Sequence, residues 1–217
     1  MVNQIVSNLC PLCGNSSEQF FKNRLRSYLK CNGCYSVFMD PIYHPSQIQE
    51  KTRYLEHNNR LDDLGYQNFL KPLIDYVCLH TGQNEIGLDF GCGTVPIASH
   101  LLQKKGYQMW SYDPYFFPET KALEQRYDFL VASEVIEHFR KPRDEFFRMK
   151  SLLKEKAQLF FMTSLFEEGM DFQKWYYKDD QTHLFFYEKR AFDWICDYFQ
   201  FSSVEVNGKL IRFVLDP

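Results

Sequence analysis

The chain has 217 residues, with 25 Lys and Arg against 28 Asp and Glu, and a net charge of −3. This charge excludes a strongly basic nucleic-acid surface over the whole protein, and a content of 45% apolar and 24% charged residues excludes a disordered chain. No segment is apolar enough for a membrane span, and the first residues lack the pattern of a signal peptide. We therefore expect a cytoplasmic protein that does not associate with membranes.

Four of the seven cysteines form two Cys-x-x-Cys pairs near the start of the chain. They are Cys10 with Cys13 and Cys31 with Cys34, and a tight turn lets each pair direct both sulfurs at one ion. We predict a closed, structural zinc site in a zinc ribbon at residues 1–45. The alternatives are unlinked surface thiols or a redox pair, and the βαβ context of a redox pair is missing here.

Helices and strands alternate through most of the remaining chain. Within the ribbon, short strands are expected around Phe20 and Tyr28, and Pro41 and Pro45 mark a linker to a second domain at residues 46–217. The elements predicted there are a helix at 66–80, a strand at 86–90, a helix ending near 105, strands at 108–112 and 127–132, a helix from 144, a strand at 158–163, and a terminal hairpin with strands at 201–206 and 210–215. This alternation predicts an α/β fold with a Rossmann-like, doubly wound, mostly parallel sheet that ends in an antiparallel hairpin.

A turn containing two glycines follows the first strand of the second domain. Gly91 and Gly93 let the backbone approach a ligand at the carboxyl end of the sheet. Asp113 ends the next strand, where a carboxylate is placed to accept both hydroxyl groups of a ribose. Position 96 is proline rather than the glycine of a dinucleotide fingerprint, so an NAD site is disfavoured.

Residues 88–93 (LDFGCG), Asp113 and residues 127–139 (YDFLVASEVIEHF) resemble class I S-adenosylmethionine-dependent methyltransferases. The resemblance covers residues 50–217 and implies S-adenosyl-L-methionine as the cofactor and transfer of its methyl group to an oxygen, nitrogen or carbon nucleophile. The cofactor-binding residues that it implies are Asp89, Gly91, Gly93 and Asp113. We add Cys92, Tyr115, Ser133 and Glu134 to the predicted cofactor site, with Tyr115 or Phe116 as the candidate for stacking on the adenine. Two features depart from the family pattern: Val95 replaces the usual third glycine, and the segment after Asp113 is too short for the usual third strand.

A first polar group on the acceptor side consists of Glu134, Glu137 and His138. If this segment were helical, the three side chains would share a face and could hold Mg²⁺. The run resembles metal-using O-methyltransferases of two kinds, which methylate catechol-type quinone precursors or the 2′-hydroxyls at small-RNA ends. The second kind also uses a distant histidine, for which His183 is the candidate here. We favour the alternative, in which Glu137 and His138 cap a helix and brace the loop, so Mg²⁺ is possible but not favoured.

A second polar group lies in the aromatic-rich segment 172–199. A histidine oriented by a carboxylate is a general base near neutral pH, so Asp180 and His183 are the predicted catalytic pair. The alternative is a core histidine without a catalytic role. A lid over the cofactor, or else a solvated loop, is expected at Tyr54, His57, Asn58 and Asn59.

The acceptor itself is not identified by any motif. A small-molecule or carrier-bound acceptor is favoured over RNA or protein, and the oligomeric state is not indicated. A different class of function stays open, in which the ribbon binds RNA or protein and the larger domain is a degenerate scaffold. Val95 supports this alternative, as does the clustering of the ribbon's basic residues, which are Lys22, Arg24, Arg26 and Lys30.

Overall fold

The computed structural model describes residues 9–56 and 60–216. In chain order, its strands are β1 (Ser17–Lys22), β2 (Ser27–Cys31), β3 (Val37–Met39), β4 (Ile86–Phe90), β5 (Gln108–Tyr112), β6 (Tyr127–Ser133), β7 (Leu153–Met162), β8 (Phe185–Phe186), β9 (Ser203–Asn207) and β10 (Leu210–Val214). Its α-helices are α1 (Gln47–Leu55), α2 (Leu64–His80), α3 (Ile97–Lys104), α4 (Pro142–Ser151) and α5 (Lys189–Tyr198). Among the described residues, no helix combines the length and apolar composition needed to cross a bilayer.

The larger sheet confirms the predicted fold class. Its strand order is β5-β4-β6-β7-β10-β9, in which β5, β4, β6 and β7 are parallel and β10 is antiparallel to both β7 and β9. The hairpin turn consists of Gly208 and Lys209, because Asn207 pairs with Leu210, and Gly208 has a positive φ of 59°. Between β5 and β6 the described chain forms only a 3₁₀ turn at Thr120–Leu123, in agreement with the prediction that this segment is too short for a further strand.

Alternation along the central strands builds an apolar layer on each side of this sheet. On β6, Phe129 and Val131 face a cluster that includes α2 and α3, whereas Leu130 and Ala132 face the opposite cluster with α4 and α5. Both layers are close-packed, because the central strands are buried along most of their length. The carboxyl ends of β4, β5 and β6 therefore form a rigid edge from which loops project.

The ribbon residues form a smaller antiparallel sheet in the order β1-β2-β3-β8. Its fourth strand comes from the far end of the chain, and pairs Val37 with Phe186 and Phe38 with Phe185. The division of the chain at residue 45 stays a prediction. The sheet that contains the ribbon nevertheless includes a strand from beyond that residue.

Helix α1 occupies a segment in which the sequence analysis predicted no element. Its first turn is a capping box, because the Ser46 hydroxyl accepts the backbone N–H of Gln49 at 3.3 Å and the Gln49 side chain accepts the backbone N–H of Ser46 at 2.8 Å. Of the predicted lid residues, Tyr54 is part of α1, and His57, Asn58 and Asn59 lie outside the described residues.

Candidate functional site

The four predicted zinc ligands come together at the base of the ribbon. Their sulfur atoms all lie within 4.8 Å of one another, and the distances across the two pairs are 3.7 Å for Cys10 to Cys34 and 3.3 Å for Cys13 to Cys31. A Zn–S bond of about 2.3 Å in a tetrahedron requires sulfurs about 3.8 Å apart. The cluster therefore has nearly the dimensions of a Cys₄ zinc site.

Backbone and amide N–H groups surround these sulfurs. The Cys31 sulfur accepts the backbone N–H of Gly33 at 3.3 Å and that of Cys34 at 3.4 Å, and the Asn15 amide donates to the Cys13 sulfur at 3.3 Å. Such donors stabilise thiolate ligands. Because all four positions are filled by cysteine, the donor set fits a structural zinc ion and leaves no position for a substrate.

The glycine turn after β4 brings the backbone against the neighbouring strands. Gly91 and Gly93 adopt positive φ angles of 80° and 68°. The backbone N–H groups of Gly91 and Cys92 both donate to the carbonyl of Tyr112, at 2.8 and 3.1 Å. A Cβ on Gly91 would lie 2.6 Å from a methyl carbon of Val135, so only glycine fits this position without a shift.

Asp89 and Asp113 flank the turn in two different environments. Asp89 is buried, accepts the backbone N–H of Ser99 at 3.1 Å, and has its pKa raised to about 7 by burial. Asp113 borders the cleft described below, and its carboxylate accepts the backbone N–H groups of Gly93, Tyr115 and Phe116 at 3.0, 2.8 and 3.1 Å. Asp89 thus supports the first turn of α3, whereas Asp113 organises the loops at the cleft.

A cleft of about 1280 Å³ opens at the carboxyl end of the parallel strands. Its walls come from α1, from the loops after β4, β5 and β6, and from residues 176–183, which we call the acceptor segment. Predicted site residues that border it are Gly91, Cys92, Gly93, Asp113, Tyr115, Ser133, Glu134, His138, Asp180 and His183. The buried side chain of Asp89 is not part of its lining.

Helix α1 closes one side of the cleft through three residues spaced i, i+3 and i+4. Glu50 is buried and accepts hydrogen bonds from Arg140 at 2.6 Å and from the Tyr115 hydroxyl at 2.7 Å. Arg53 pairs with Asp180 at 2.9 Å, and the ring of Tyr54 meets that of His138 edge-on, with centroids 5.3 Å apart. The sequence analysis missed Glu50, Arg53 and Arg140, and the capping box at Ser46 was the signal that would have located α1.

Ser133 is the last residue of β6 and Glu134 follows it, and each has a buried polar atom without a hydrogen-bond partner among the described residues. Burial covers the Ser133 hydroxyl and the Glu134 Oε1 atom, and within the described residues neither atom forms a hydrogen bond. Glu134 has a positive φ of 51°, and burial together with the nearby Glu137 raises its pKa to about 7. An unsatisfied buried carboxylate oxygen at the edge of a cleft is available to a ligand or to a proton.

Glu137 lies behind the cleft wall in a fully buried hydrogen-bond network. Residues Ile136–His138 form a 3₁₀ turn rather than the helix that would place Glu134, Glu137 and His138 on one face. The Glu137 carboxylate accepts the Tyr177 hydroxyl at 2.5 Å and the Thr163 hydroxyl at 3.0 Å. Burial raises the pKa of Glu137 to about 7.

Two histidines pack together beside this carboxylate. The Nδ1 atom of His138 bonds the carbonyl of Thr182 at 2.8 Å, and that of His183 bonds the carbonyl of Tyr177 at 2.7 Å. Burial lowers both pKa values, that of His183 to about 3, so both rings are neutral near pH 7. Ligand atoms of Glu137, His138 and His183 lie within 4.8 Å of one another, and Glu134 is not part of that group.

The hydrogen bonds of Asp180 differ from those expected of a catalytic pair with His183. Its carboxylate accepts hydrogen bonds from Arg53 at 2.9 and 3.1 Å, and from the backbone and hydroxyl of Thr182 at 2.9 and 2.6 Å. Within residues 9–56 and 60–216, Asp180 and His183 form no side-chain hydrogen bond, because the Nδ1 atom of His183 is bonded to the Tyr177 carbonyl. Asp180 is thus placed to anchor α1 and its own loop.

Comparisons with known proteins identify the family. A family model described as "Methyltransferase domain" matches residues 62–206, more than half of the chain. The structure resembles the 1,6-didemethyltoxoflavin-N1-methyltransferase of Burkholderia thailandensis at 9% identity and a TM-score of 0.54, with 92% of this chain and 100% of that chain covered. It also resembles an O-methyltransferase family protein from Burkholderia thailandensis at 10% identity and a TM-score of 0.53, with 76% of this chain and 61% of that chain covered.

A comparison with curated protein sequences finds no match. The family assignment therefore stands on the matched model, and the two solved structures agree with it in fold. It also agrees with the glycine turn and Asp113 at the carboxyl edge of the sheet. The chain belongs to the methyltransferase domain family, as the resemblance to class I S-adenosylmethionine-dependent methyltransferases predicted.

Proposed function

We propose that the protein transfers the methyl group of S-adenosylmethionine to a nucleophilic oxygen, nitrogen or carbon atom of a small molecule. The observation that carries this proposal is the single cleft edge at which Gly91, Gly93 and Asp113 meet Glu134 and His183. The methyltransferase from Burkholderia thailandensis named above was solved with bound 1,6-didemethyltoxoflavin and S-adenosylhomocysteine, which supports a small acceptor for this fold. Carrier-bound, RNA and protein acceptors are the alternatives.

The cofactor is proposed to lie along the glycine turn, with its ribose at Asp113. The Asp113 carboxylate is already held by three backbone N–H groups, so it is fixed in place before a ligand binds. Tyr115 was the candidate for stacking on adenine, but its hydroxyl is bonded to Glu50. Phe116 follows it in the cleft lining, and we propose either ring as the neighbour of the adenine.

The cofactor supplies an electrophilic methyl group, and the protein has to align the acceptor and accept its proton. A base works best with a pKa near the operating pH, which favours a carboxylate with a pKa of about 7 over a histidine with a pKa of about 3. We therefore propose Glu134, whose Oε1 atom is unpartnered, as the base. His183 and Asp180 stay candidates, with His183 accepting a hydrogen bond from the acceptor and Asp180 holding Arg53.

A second metal site is not favoured in this proposal. If a cation bound there, Glu137, His138 and His183 would hold it, because their ligand atoms lie within 4.8 Å of one another. Two imidazoles and one carboxylate suit a transition metal better than Mg²⁺, which prefers oxygen ligands. The Glu137 carboxylate is also already bonded to Tyr177 and Thr163.

The ribbon cysteines are proposed to hold structural zinc, which requires the reduced thiols of a cytoplasmic compartment. The alternative function, in which the ribbon binds RNA or protein, loses part of its basis. Arg26 is bonded to the carbonyls of Lys178 and Asp179, and Lys30 is paired with Glu168. Two of the four basic residues are thus engaged within the chain.

Isothermal titration with S-adenosylhomocysteine tests the proposal. We expect the zinc-loaded protein to bind, and Asp113→Ala to weaken binding by about 100-fold, because charge-assisted hydrogen bonds to a ribose contribute about 1.5–3 kcal/mol each. Asp75→Ala is the matched control, since Asp75 is an exposed residue of α2 paired with Lys71. The absence of binding by the folded, zinc-loaded protein would refute the proposed function.

A further inference from the structure

His183, which is proposed to hydrogen-bond the acceptor, lies on a segment with little regular structure of its own. Tyr177, Asp180 and His183 follow one another in the acceptor segment, which contains only a 3₁₀ turn at Tyr176–Asp179 and leads into the two-residue strand β8. Side-chain positions within about half an ångström matter for chemistry. Something outside this segment must therefore fix its backbone.

The ribbon donates hydrogen bonds to backbone carbonyl groups within the acceptor segment and directly after it. Nη1 of Arg26 donates to the carbonyl of Lys178 at 3.1 Å and to that of Asp179 at 3.3 Å, and the Tyr28 hydroxyl donates to the carbonyl of Lys178 at 3.2 Å. Just beyond the segment, the backbone N–H of Met39 donates to the carbonyl of Leu184 at 2.8 Å. The ribbon thus binds the chain immediately after Tyr177 and immediately after His183.

An apolar cluster joins the same two parts of the chain. Tyr28, Val37 and Met39 of the ribbon pack with residues from the β7–α5 connection, which are Phe166, Phe172, Tyr177, Leu184 and Phe186. The rings of Tyr28 and Phe172 meet edge-on with centroids 5.2 Å apart. Tyr177 is therefore held on one side by the ribbon and on the other by its hydrogen bond to Glu137.

One hydrogen bond connects this part of the backbone to the ring of His183. The carbonyl of Tyr177 accepts the Nδ1 hydrogen of His183 at 2.7 Å, and the next carbonyl along the chain, that of Lys178, is the one held by Arg26 and Tyr28. Rotation of the backbone at Lys178 would also move the neighbouring Tyr177 carbonyl, and its hydrogen bond to His183 would be lost. Arg26 also borders the cleft, so the ribbon forms part of its wall.

We propose that the zinc ribbon is one wall of the acceptor site, and that Arg26 and Tyr28 are positioning residues that fix the acceptor segment and, through the Tyr177 carbonyl, the ring of His183. The inference rests on the proposed function only in treating this part of the cleft as the acceptor site. It assigns the ribbon a role within the enzyme rather than that of a separate recognition module.

The experiment compares Arg26→Met combined with Tyr28→Phe against Lys30→Met. Lys30 lies on β2, as Tyr28 does, and also bonds to the β7–α5 connection, but at the exposed Glu168, outside the acceptor segment. Hydrogen exchange is followed by mass spectrometry, and the ring N–H signal of His183 is followed by NMR and assigned with His183→Gln. We expect at least tenfold faster exchange within residues 176–184 and loss of the His183 ring N–H signal in the double variant alone.

Binding of S-adenosylhomocysteine should change less than twofold, because among the described residues no hydrogen bond joins Asp113 or the glycine turn to Arg26 or Tyr28. Arg26→Lys should restore part of the protection that Arg26→Met removes, since an ammonium can still donate to the Lys178 carbonyl. If the double variant does not fold, Tyr28→Phe alone should still produce about threefold faster exchange in the same segment.

Wild-type exchange and an unchanged His183 signal in the folded variants would overturn the inference. So would faster exchange spread evenly over the sheet, which would indicate a general loss of stability. A wild-type protein that fails to bind S-adenosylhomocysteine would contradict the proposed function instead, and the exchange result would still be readable.

Discussion

The two ends of the cleft are built in different ways. The end proposed to bind the cofactor, called the cofactor end, consists of backbone turns that directly follow β4 and β5, with Asp113 holding the N–H groups of residues close to it in sequence or in the turn after β4. The acceptor end is assembled from segments far apart in the chain: Arg26 and Tyr28, helix α1, the turn at Glu137, and His183. The first end is a local property of a strand–turn–helix unit, whereas the second exists only in the complete fold.

This difference indicates which end depends on the ribbon. Loops at the carboxyl edge of a parallel sheet are supported by the sheet itself. The acceptor segment is instead supported by ribbon side chains and by α1, which is joined to it through Arg53 and Asp180. We therefore expect a change in the ribbon to alter the acceptor end more than the cofactor end.

The largest effect is expected from the loss of zinc. Cys31→Ser removes a ligand whose sulfur also accepts two backbone N–H groups, and structural zinc contributes on the order of 10 kcal/mol to small zinc domains. We expect one zinc ion per wild-type chain by metal analysis, and a decrease of about 5 kcal/mol or more in the free energy of unfolding in urea for the variant.

Cys78→Ser is the matched control for this experiment, because Cys78 lies in α2, away from the cysteine cluster. It should retain the zinc ion and nearly the full free energy of unfolding. A Cys31→Ser protein as stable as the wild type would show that the ribbon does not need a metal. The acceptor end would then be no more dependent on the ribbon cysteines than the cofactor end is.

A smaller effect, confined to the cofactor end, is expected from the two glycines of the turn. Gly91→Ala places a Cβ 2.6 Å from Val135, at a positive φ of 80°, whereas a Cβ on Gly93 has no atom within 4 Å. Left-handed strain costs about 1–2 kcal/mol at either position, and overpacking adds about 1–3 kcal/mol at Gly91 alone. We expect Gly91→Ala to reduce the free energy of unfolding by about 3 kcal/mol, and Gly93→Ala by about 1 kcal/mol.

Each glycine variant serves as the control for the other. Gly91→Ala should also weaken binding of S-adenosylhomocysteine more than Gly93→Ala does, since Val135 follows the cleft residues Ser133 and Glu134. Hydrogen exchange in the acceptor segment should stay at the wild-type level in both variants. Equal losses of unfolding free energy in the two variants would mean that the strain of a positive φ, rather than the contact of a Cβ at position 91 with Val135, sets the cost of both substitutions.

The cofactor end was predictable from the sequence because its signals are local. The glycines, Asp113 and the strand periodicity all lie within short windows, and the alternation of strands with helices predicts the parallel sheet. The terminal hairpin was equally visible, because Asn207 and Gly208 are typical hairpin residues and the turn begins at Gly208. Four cysteines at the right spacing also come together as the pattern predicted.

The acceptor end was only partly predictable. His183 and Glu137 were found as candidates, but the sequence cannot show that the Nδ1 atom of His183 bonds to the Tyr177 carbonyl rather than to Asp180. Nor does any local pattern pair Phe185 and Phe186 with β3, about 150 residues earlier in the chain. Contacts of this kind depend on tertiary structure, and the ribbon's basic residues appeared to be a surface cluster for that reason.

The effect expected to depend on a single side chain is a pH dependence of stability that comes from Asp89. Burial raises the pKa of Asp89 from 3.8 to about 7, so between these values the native state binds a proton that the unfolded state has released. Stability from this group is therefore complete below about pH 4, and decreases as the pH rises through about 7. Asp89→Asn keeps an oxygen that can accept the Ser99 N–H group but cannot titrate.

The wild type should thus lose on the order of 3 kcal/mol relative to Asp89→Asn between about pH 4 and about pH 8, measured by urea unfolding. Asp75→Asn, at an exposed position of α2, is the matched control substitution. Because Asp89 supports α3 from beneath the turn, Asp89→Asn should bind S-adenosylhomocysteine within a few-fold of the wild type, unlike Asp113→Ala. Parallel stability curves for wild type and Asp89→Asn would show that Asp89 is in contact with water rather than buried beneath the turn.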